Sequence, residues 1–230
     1  MSARGIFVTG TDTGVGKTVI ACALTRALVR RGHRVGVLKP VASGSERTPA
    51  GLRNEDALAL LACANLDQGY ESANLYCFEP PISPHIAADE AGIGIDLGRI
   101  AEVYDSIARR ADWIVVEGAG GWRAPLSGRE SMADLPQALG IPALLVVGLR
   151  LGCLNHAALT REAIARSGVR FAGWVGSAVD PQFARASQNA ATLARLLGEA
   201  PLGHVPHLVP GAAAPVLEAA ASELERRLST

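Results

Sequence analysis

The chain has 230 residues, 49% of them hydrophobic, and its 22 Lys+Arg are balanced by 22 Asp+Glu, for a formal net charge of zero. That is enough apolar material for one sizeable core, and it leaves no global field to draw the chain to nucleic acid or to an anionic membrane. No stretch approaches the roughly 20 apolar residues of a membrane span and the N-terminus lacks a leader pattern, so one cytoplasmic domain over residues 1–230 is expected, without nucleic-acid or membrane partners.

In chain order, residues 6–9 predict a short buried strand and residues 19–29 have the apolar spacing of a packed helix running to Arg31. Between them lies Gly10-Thr11-Asp12-Thr13-Gly14-Val15-Gly16-Lys17-Thr18. Glycines there let the backbone curl so that several N–H groups point inward, and the helix N-terminus adds its partial positive charge, which together cradle phosphate. Lys17 is then placed to reach β/γ-phosphates and Thr18 to offer its hydroxyl to Mg²⁺. The match to the P-loop consensus is inexact: its leading glycine falls at Thr11, and Gly10 stands one residue early.

Strand and helix continue to alternate. A strand is expected at 34–39, a Gly/Ser/Pro loop at 40–52, a helix at 56–64, an irregular region at 65–95 and a helix at 97–110. Then come a strand at 113–117, a loop at 118–131, a strand at 141–147, a helix at 154–167, a strand at 171–175, a helix at 183–197, a strand at 201–205 and a closing helix at 213–228. Continuous apolar runs such as Trp113-Ile114-Val115-Val116 suit strands covered on both faces. The expected fold is therefore α/β and P-loop-like, with a mostly parallel central sheet flanked by helices and ligands bound beyond the carboxyl ends of the strands.

Charged residues at those strand ends are the candidate chemistry. Lys39 ends the second strand, where its ammonium would face the same phosphates as Lys17. Glu117 ends the run 113–116, where a P-loop protein carries a second acidic residue for Mg²⁺, and Gly118-Ala119-Gly120-Gly121 permits close backbone approach there. Asp56 reads equally as a helix-start residue and as a metal ligand. The cysteines Cys22, Cys63, Cys77 and Cys153 form no Cys-x-x-Cys pair and are expected as reduced thiols, Cys153 in packing. The five histidines lack zinc-ligand spacing.

Gly10-Thr11-Asp12-Thr13-x-Val15-Gly16-Lys17-Thr18, Lys39-Pro40-Val41-Ala42-Ser43-Gly44, Ser83-Pro84-His85, Val116-Glu117-Gly118-Ala119-Gly120-Gly121 and Gly152-Cys153-x-Asn155-His156, in this order, strongly resemble the dethiobiotin synthetases of biotin biosynthesis. The likeness runs from Gly5 to about Leu208. It implies a homodimeric ligase dependent on Mg²⁺ and ATP that joins CO₂ to 7,8-diaminononanoate and closes the ureido ring through a carbamic-phosphoric anhydride, releasing ADP and phosphate. Position by position, it implies that Gly14, Val15, Gly16, Lys17, Thr18 and Val19 hold the phosphates. Thr18, Asp56 and Glu117 surround Mg²⁺, and Gly118, Ala119 and Gly120 complete the nucleotide site. Lys39 matches the catalytic lysine, and Thr13 and Ser43 lie where the diamine and its carbamate bind. The turn Gly152, Cys153, Leu154, Asn155 resembles the segment that receives the substrate carboxylate across the subunit interface. His85 either lines the diamine pocket or caps a loop.

The likeness frays at the base. The family carries an Asn-Asp pair after the strand 172–175, where this chain has Gly176-Ser177-Ala178, so Ser177 is left as the base-proximal polar residue. Pro206, His207 and Leu208 match a later base-binding segment, without the acidic residue expected soon after. Relaxed base preference is the expectation. The rival reading is a partitioning-type nucleotide-switch ATPase of the same fold, whose members resemble one another in an early P-loop lysine that Thr11-Asp12-Thr13 does not provide.

Overall fold

The computed structural model describes residues 3–206 and Arg226. Among these, six parallel strands form the central sheet: β1 (Arg4–Gly10), β2 (Val35–Leu38), β7 (Trp113–Glu117), β8 (Ala143–Gly148), β9 (Phe171–Ser177) and β10 (Gly203–Val205), in the order β10-β9-β8-β1-β7-β2. Placing β1 at the centre, between β7 and β8, brings their carboxyl ends together at one edge of the sheet. The α/β class and the mostly parallel sheet expected from the apolar runs are borne out.

Alternate residues of each strand face opposite helix layers. Ile6, Val8, Val35, Val37, Trp113 and Val115 pack on α1 (Lys17–Arg30) and α2 (Glu55–Leu61) through Ile20, Leu24, Leu28 and Leu60. Phe7, Leu38, Ile114 and Val116 face α5 (Leu97–Ala108) and α6 (Asp134–Ala138) through Ile100, Tyr104, Ile107 and Leu135. Leu145, Val147 and Trp174 meet α7 (Cys153–Arg166) and α8 (Ala186–Leu197) through Ala157, Leu193 and Leu197. Strands buried on both faces need apolar residues at every position, which is why the runs are continuous. Asp96 caps α5 by accepting from Gly98 N at 2.7 Å, and Asn54 caps α2 by accepting from Ala57 N at 3.3 Å, which sets Asp56 in its first turn.

The expected loops contain short elements. The 40–52 stretch holds β3 (Val41–Ala42) and a hairpin of β4 (Glu46–Thr48) and β5 (Gly51–Arg53), whose turn takes Gly51 at φ 100°. The 65–95 stretch holds α3 (Tyr70–Ala73), β6 (Tyr76–Cys77), which pairs with β3, and α4 (Pro84–Ala91). Two- to four-residue strands and single helical turns carry no periodicity to read. Boundaries also move: β2 stops before Lys39, β9 runs on to Ser177, and α8 begins at Ala186 rather than 183. The expected helix at 213–228 lies outside the described residues but for Arg226.

Gly5 marks the tightest approach to the sheet: a Cβ there would stand 2.2 Å from Tyr104 Oη and 2.4 Å from Ile141 Cγ2. Gly5→Ala is expected to lower unfolding free energy by about 1–3 kcal/mol through overpacking, checked by urea titration. An unchanged midpoint would show that Tyr104 and Ile141 shift freely.

Candidate active site

β1 ends at Gly10, and the chain turns through Gly14 (φ 71°) and Gly16 (φ 90°) into α1, whose first residues are Lys17 and Thr18. Both glycines take the left-handed conformation that a side chain resists. Gly10 answers a different need. A Cβ on it would fall 2.6 Å from Val15 Cγ2, and one on Gly148 2.9 Å from Val15 Cγ1. Val15 is thus a buried plug that seats the loop on β1 and β8, and the misplaced consensus glycine makes room for it. Of the residues expected at the phosphates, Gly14, Gly16, Lys17, Thr18 and Val19 line the cleft, while the Val15 side chain belongs to the core.

The cleft measures about 1010 Å³ and collects the carboxyl ends of β1, β2 and β7. Lys17 Nζ donates to Asp12 O at 2.9 Å. Lys39, 4% exposed, donates to Glu117 Oε1 at 2.6 Å and to Asp56 Oδ2 at 3.0 Å, and Thr18 Oγ1 donates to the same Glu117 oxygen at 2.8 Å. Glu117 is fully buried, and its Oε2 has no hydrogen-bond partner among the described residues. Lys39 therefore faces the carboxylates, not open space beside Lys17. Thr18, Asp56 and Glu117 offer a set of hard oxygens with one buried acceptor to spare, a donor set that suits Mg²⁺ completed by phosphate and water.

Charge and burial compete here. Burial works against the Lys39 ammonium, but Glu117 and Asp56 outweigh it and hold its pKa above the ordinary lysine value. Burial likewise opposes charge on Asp56, which the neighbouring Lys39 overcomes, holding the carboxyl below its usual range. For Lys17 the balance falls the other way: burial, and then repulsion from Lys39, outweigh the attraction of Glu117, Asp56 and Asp12 and bring it down to about 8.

Thr13, Ser43, Ala119, Gly120 and Gly121 also line the cleft, and Ala42, Pro81, Ile82, Ile86, Ala124 and Pro125 give it an apolar wall. Gly118 lies behind this lining, where a Cβ would press on Phe7 at 2.8 Å. His85, in the first turn of α4, does not line the cleft and makes no cap bond; its buried Nδ1 has no hydrogen-bond partner among the described residues. Gly152, Cys153, Leu154 and Asn155 also stand apart from this lining. Gly152 (φ 93°) opens α7, Cys153 is buried in packing, Asn155 is exposed, and the adjoining Leu151 is 92% exposed. Ser177 is buried beside the phosphate loop, its Oγ 2.8 Å from where a Gly16 Cβ would stand. Pro206 lines a separate, mainly apolar cavity of about 480 Å³ with Leu149, Ala178, Ala190, Ala194 and His204. His207 and Leu208 lie outside the described residues.

Two contacts escaped sequence reading because their partners are distant in the chain. Arg150 pairs with Asp12 at 2.5 Å, tying the turn before α7 to the phosphate loop, and Asp12 Oδ1 also accepts from Thr13 N at 2.7 Å. Cys22 and Cys63, on neighbouring α1 and just past α2, influence each other, which lowers the pKa of the Cys63 thiol and pushes that of Cys22 up, while Cys63 Sγ donates to Ala59 O at 3.1 Å. Both are free thiols. One compositional signal was open to inspection: Lys17 and Lys39 are the only lysines in the chain, every other member of its 22 Lys+Arg being arginine.

A central strand, a glycine-bearing loop, a helix opened by Lys-Thr and an acidic residue closing the adjacent strand define a P-loop nucleotide-dependent protein. Among solved structures of this fold, the MinC:MinD cell division complex of Aquifex aeolicus matches with a TM-score of 0.64 at 17% identity, over 97% of this chain and 96% of that one. The Pyrococcus furiosus cell division ATPase MinD gives 0.61 at 18%, over 97% and 99%. At that identity the likeness is one of fold. A family model described as an AAA domain matches residues 4–212. The chain is 53% identical to the ATP-dependent dethiobiotin synthetase BioD of Pseudomonas paraeruginosa (strain DSM 24068 / PA7) over 203 residues, 88% of this chain and 89% of that one. It is 46% identical to the protein of the same name from Aromatoleum aromaticum (strain DSM 19018 / LMG 30748 / EbN1), over 89% and 91%. The chain belongs to the ATP-dependent dethiobiotin synthetase family.

Proposed function

We propose that the chain is an ATP-dependent cyclo-ligase that carboxylates 7,8-diaminononanoate with CO₂ and closes the ureido ring of dethiobiotin. One amine takes up CO₂ as a carbamate, a carbamate oxygen attacks the γ-phosphorus of ATP, and ADP leaves. The second amine then attacks the carbamic-phosphoric anhydride at carbon and phosphate departs. The observation that carries this reading is one cleft holding both lysines, two carboxylates and an apolar wall. Two anionic reactants must meet there, so the barrier is lowered by positioning and by fixed positive charge, with no protein nucleophile.

In this reading Gly14 to Val19 hold the phosphates and Lys17 takes the β/γ oxygens. Thr18, Asp56 and Glu117 would hold Mg²⁺, which would offset the negative charge of the phosphates. Lys39 neutralises the carbamate as it attacks, Thr13 and Ser43 bind the diamine end, and the apolar wall at Ile82, Ile86 and Pro125 carries its alkyl chain. The Gly152 to Asn155 turn lies outside this cleft and serves the partner's substrate carboxylate at the N-terminus of α7, in a homodimer. The test is an omission assay with purified protein, diamine, bicarbonate, Mg²⁺ and ATP, with the cyclic urea followed by mass. Product should vanish when any component is left out; ATP hydrolysis independent of diamine and bicarbonate would instead mark a nucleotide-switch ATPase.

Base selection rests on weak groups. Ser177 is turned to the phosphate loop, and the nearby cavity is lined mainly by alanine and proline. With each lost hydrogen bond to the base worth about 1 kcal/mol, kcat/KM for CTP or GTP is expected within about 10- to 30-fold of that for ATP. A preference for ATP beyond about 10³-fold would show that backbone groups read adenine.

A further inference from the structure

We propose that Lys39 is a built-in place-holder for the divalent cation: its ammonium holds the metal's oxygens until the ion displaces it, and displacement turns the lysine toward the phosphates. The inference rests on the reading that Thr18, Asp56 and Glu117 hold Mg²⁺. A divalent ion at Glu117 Oε1 and Asp56 Oδ2 needs the very oxygens that Lys39 Nζ holds at 2.6 and 3.0 Å. Glu117 is fully buried, and a buried carboxylate without a counter-cation is costly. A cation beside it keeps the carboxylate ionised and ready for metal, and the lysine is the one the chain carries.

The surroundings fit an exchange of this kind. Lys39 is fixed at its main chain, where N donates to Ala73 O at 2.7 Å and O accepts from Asn74 Nδ2 at 2.6 Å, so only the four-carbon stem has to move. Thr18 already donates to the shared Glu117 oxygen at 2.8 Å, and Glu117 Oε2 has no partner among the described residues, so the donor set is gathered before metal arrives. The chain meets nearly every need for positive charge with arginine, and lysine stands only at 17 and 39. An ammonium is a compact point charge on a flexible stem and can pass between carboxylate and phosphate, whereas a planar guanidinium fork is held by both its partners at once. Replacing one positive charge by two leaves the displaced ammonium seeking an anion. A triphosphate supplies it, so metal and nucleotide should each strengthen the other's binding, with Lys39 as the linkage.

The test combines Mn²⁺ binding, followed by electron paramagnetic resonance, with lysine NMR. Without nucleotide, Lys39→Met is expected to bind Mn²⁺ about tenfold or more tighter than the natural chain, and to lose most of the tightening that β,γ-methylene-ATP gives the natural chain. Glu117→Gln should weaken Mn²⁺ in the natural background. Equal Mn²⁺ affinity in the natural chain and Lys39→Met, with weakening by Glu117→Gln, would overturn the place-holder and leave the magnesium site standing. No effect of Glu117→Gln would remove the site and the proposal together. Should Lys39→Met fail to fold, the natural chain labelled with ¹⁵N-lysine has just two ammonium signals. That of Lys39 should shift and lose protection from solvent exchange as Mg²⁺ and the analogue saturate, and an unmoved signal overturns the proposal.

Discussion

Lys39→Met is expected to lower kcat by about 10²-fold or more while triphosphate affinity measured without divalent cation changes only a few-fold. The asymmetry follows from position. Lys17 opens α1 at the phosphate loop, whereas Lys39 enters from the end of β2 and is bound to Glu117 and Asp56. Positive charge that meets the carbamate only as it attacks acts on the transition state and so appears in kcat. Methionine keeps the volume of the stem, which avoids a cavity. It strips Glu117 of its counter-cation, so the variant should also unfold at lower temperature and regain part of that loss with Mg²⁺. Single-turnover kinetics with titration of an ATP analogue checks both parts; near-normal turnover would remove Lys39 from the chemistry.

Lys17→Met should have the complementary effect, weakening triphosphate binding by about 10²-fold, the scale of one or two charge-assisted hydrogen bonds. Lys17 also predicts a pH dependence. Its folded pKa lies at about 8, below the ordinary lysine value, because of burial and then repulsion from Lys39. Phosphate requires the charged form, so below about pH 8 affinity is at its plateau. As pH rises through 8 the protein must take up a proton to bind, and affinity should fall by up to about tenfold per pH unit. Calorimetry in buffers of different ionisation enthalpy will show that proton uptake directly, and Lys17→Met should abolish it. A natural chain whose affinity is flat between about pH 7.5 and 9.5 would place Lys17 elsewhere.

Sequence reading went furthest where a physical demand repeats along the chain. The run Trp113–Glu117 is legible as a strand because a sheet covered on both faces needs an apolar residue at each step. Lys17 and Thr18 are legible because a phosphate loop needs its strand and helix beside it. What stayed hidden depends on groups brought together from afar. Asp56 was ambiguous because its environment is decided by an ammonium 17 residues away, and Asp12 gave no hint of Arg150, 138 residues on. Gly10 looked like a misplaced consensus glycine until Val15 gave it a purpose. The hairpin of β4 and β5 and the single turn α3 are too short to impose a period, so composition alone marked them as loop.

The central claim, that a carbamate oxygen attacks the γ-phosphate in this cleft, is open to an isotope test. With ¹⁸O-labelled CO₂, diamine, ATP and Mg²⁺, the oxygen that bridges carbon and phosphorus in the anhydride leaves with phosphate when the ring closes. One ¹⁸O per inorganic phosphate released, with product formed in equal amount, is the predicted result. Unlabelled phosphate alongside normal product would contradict it.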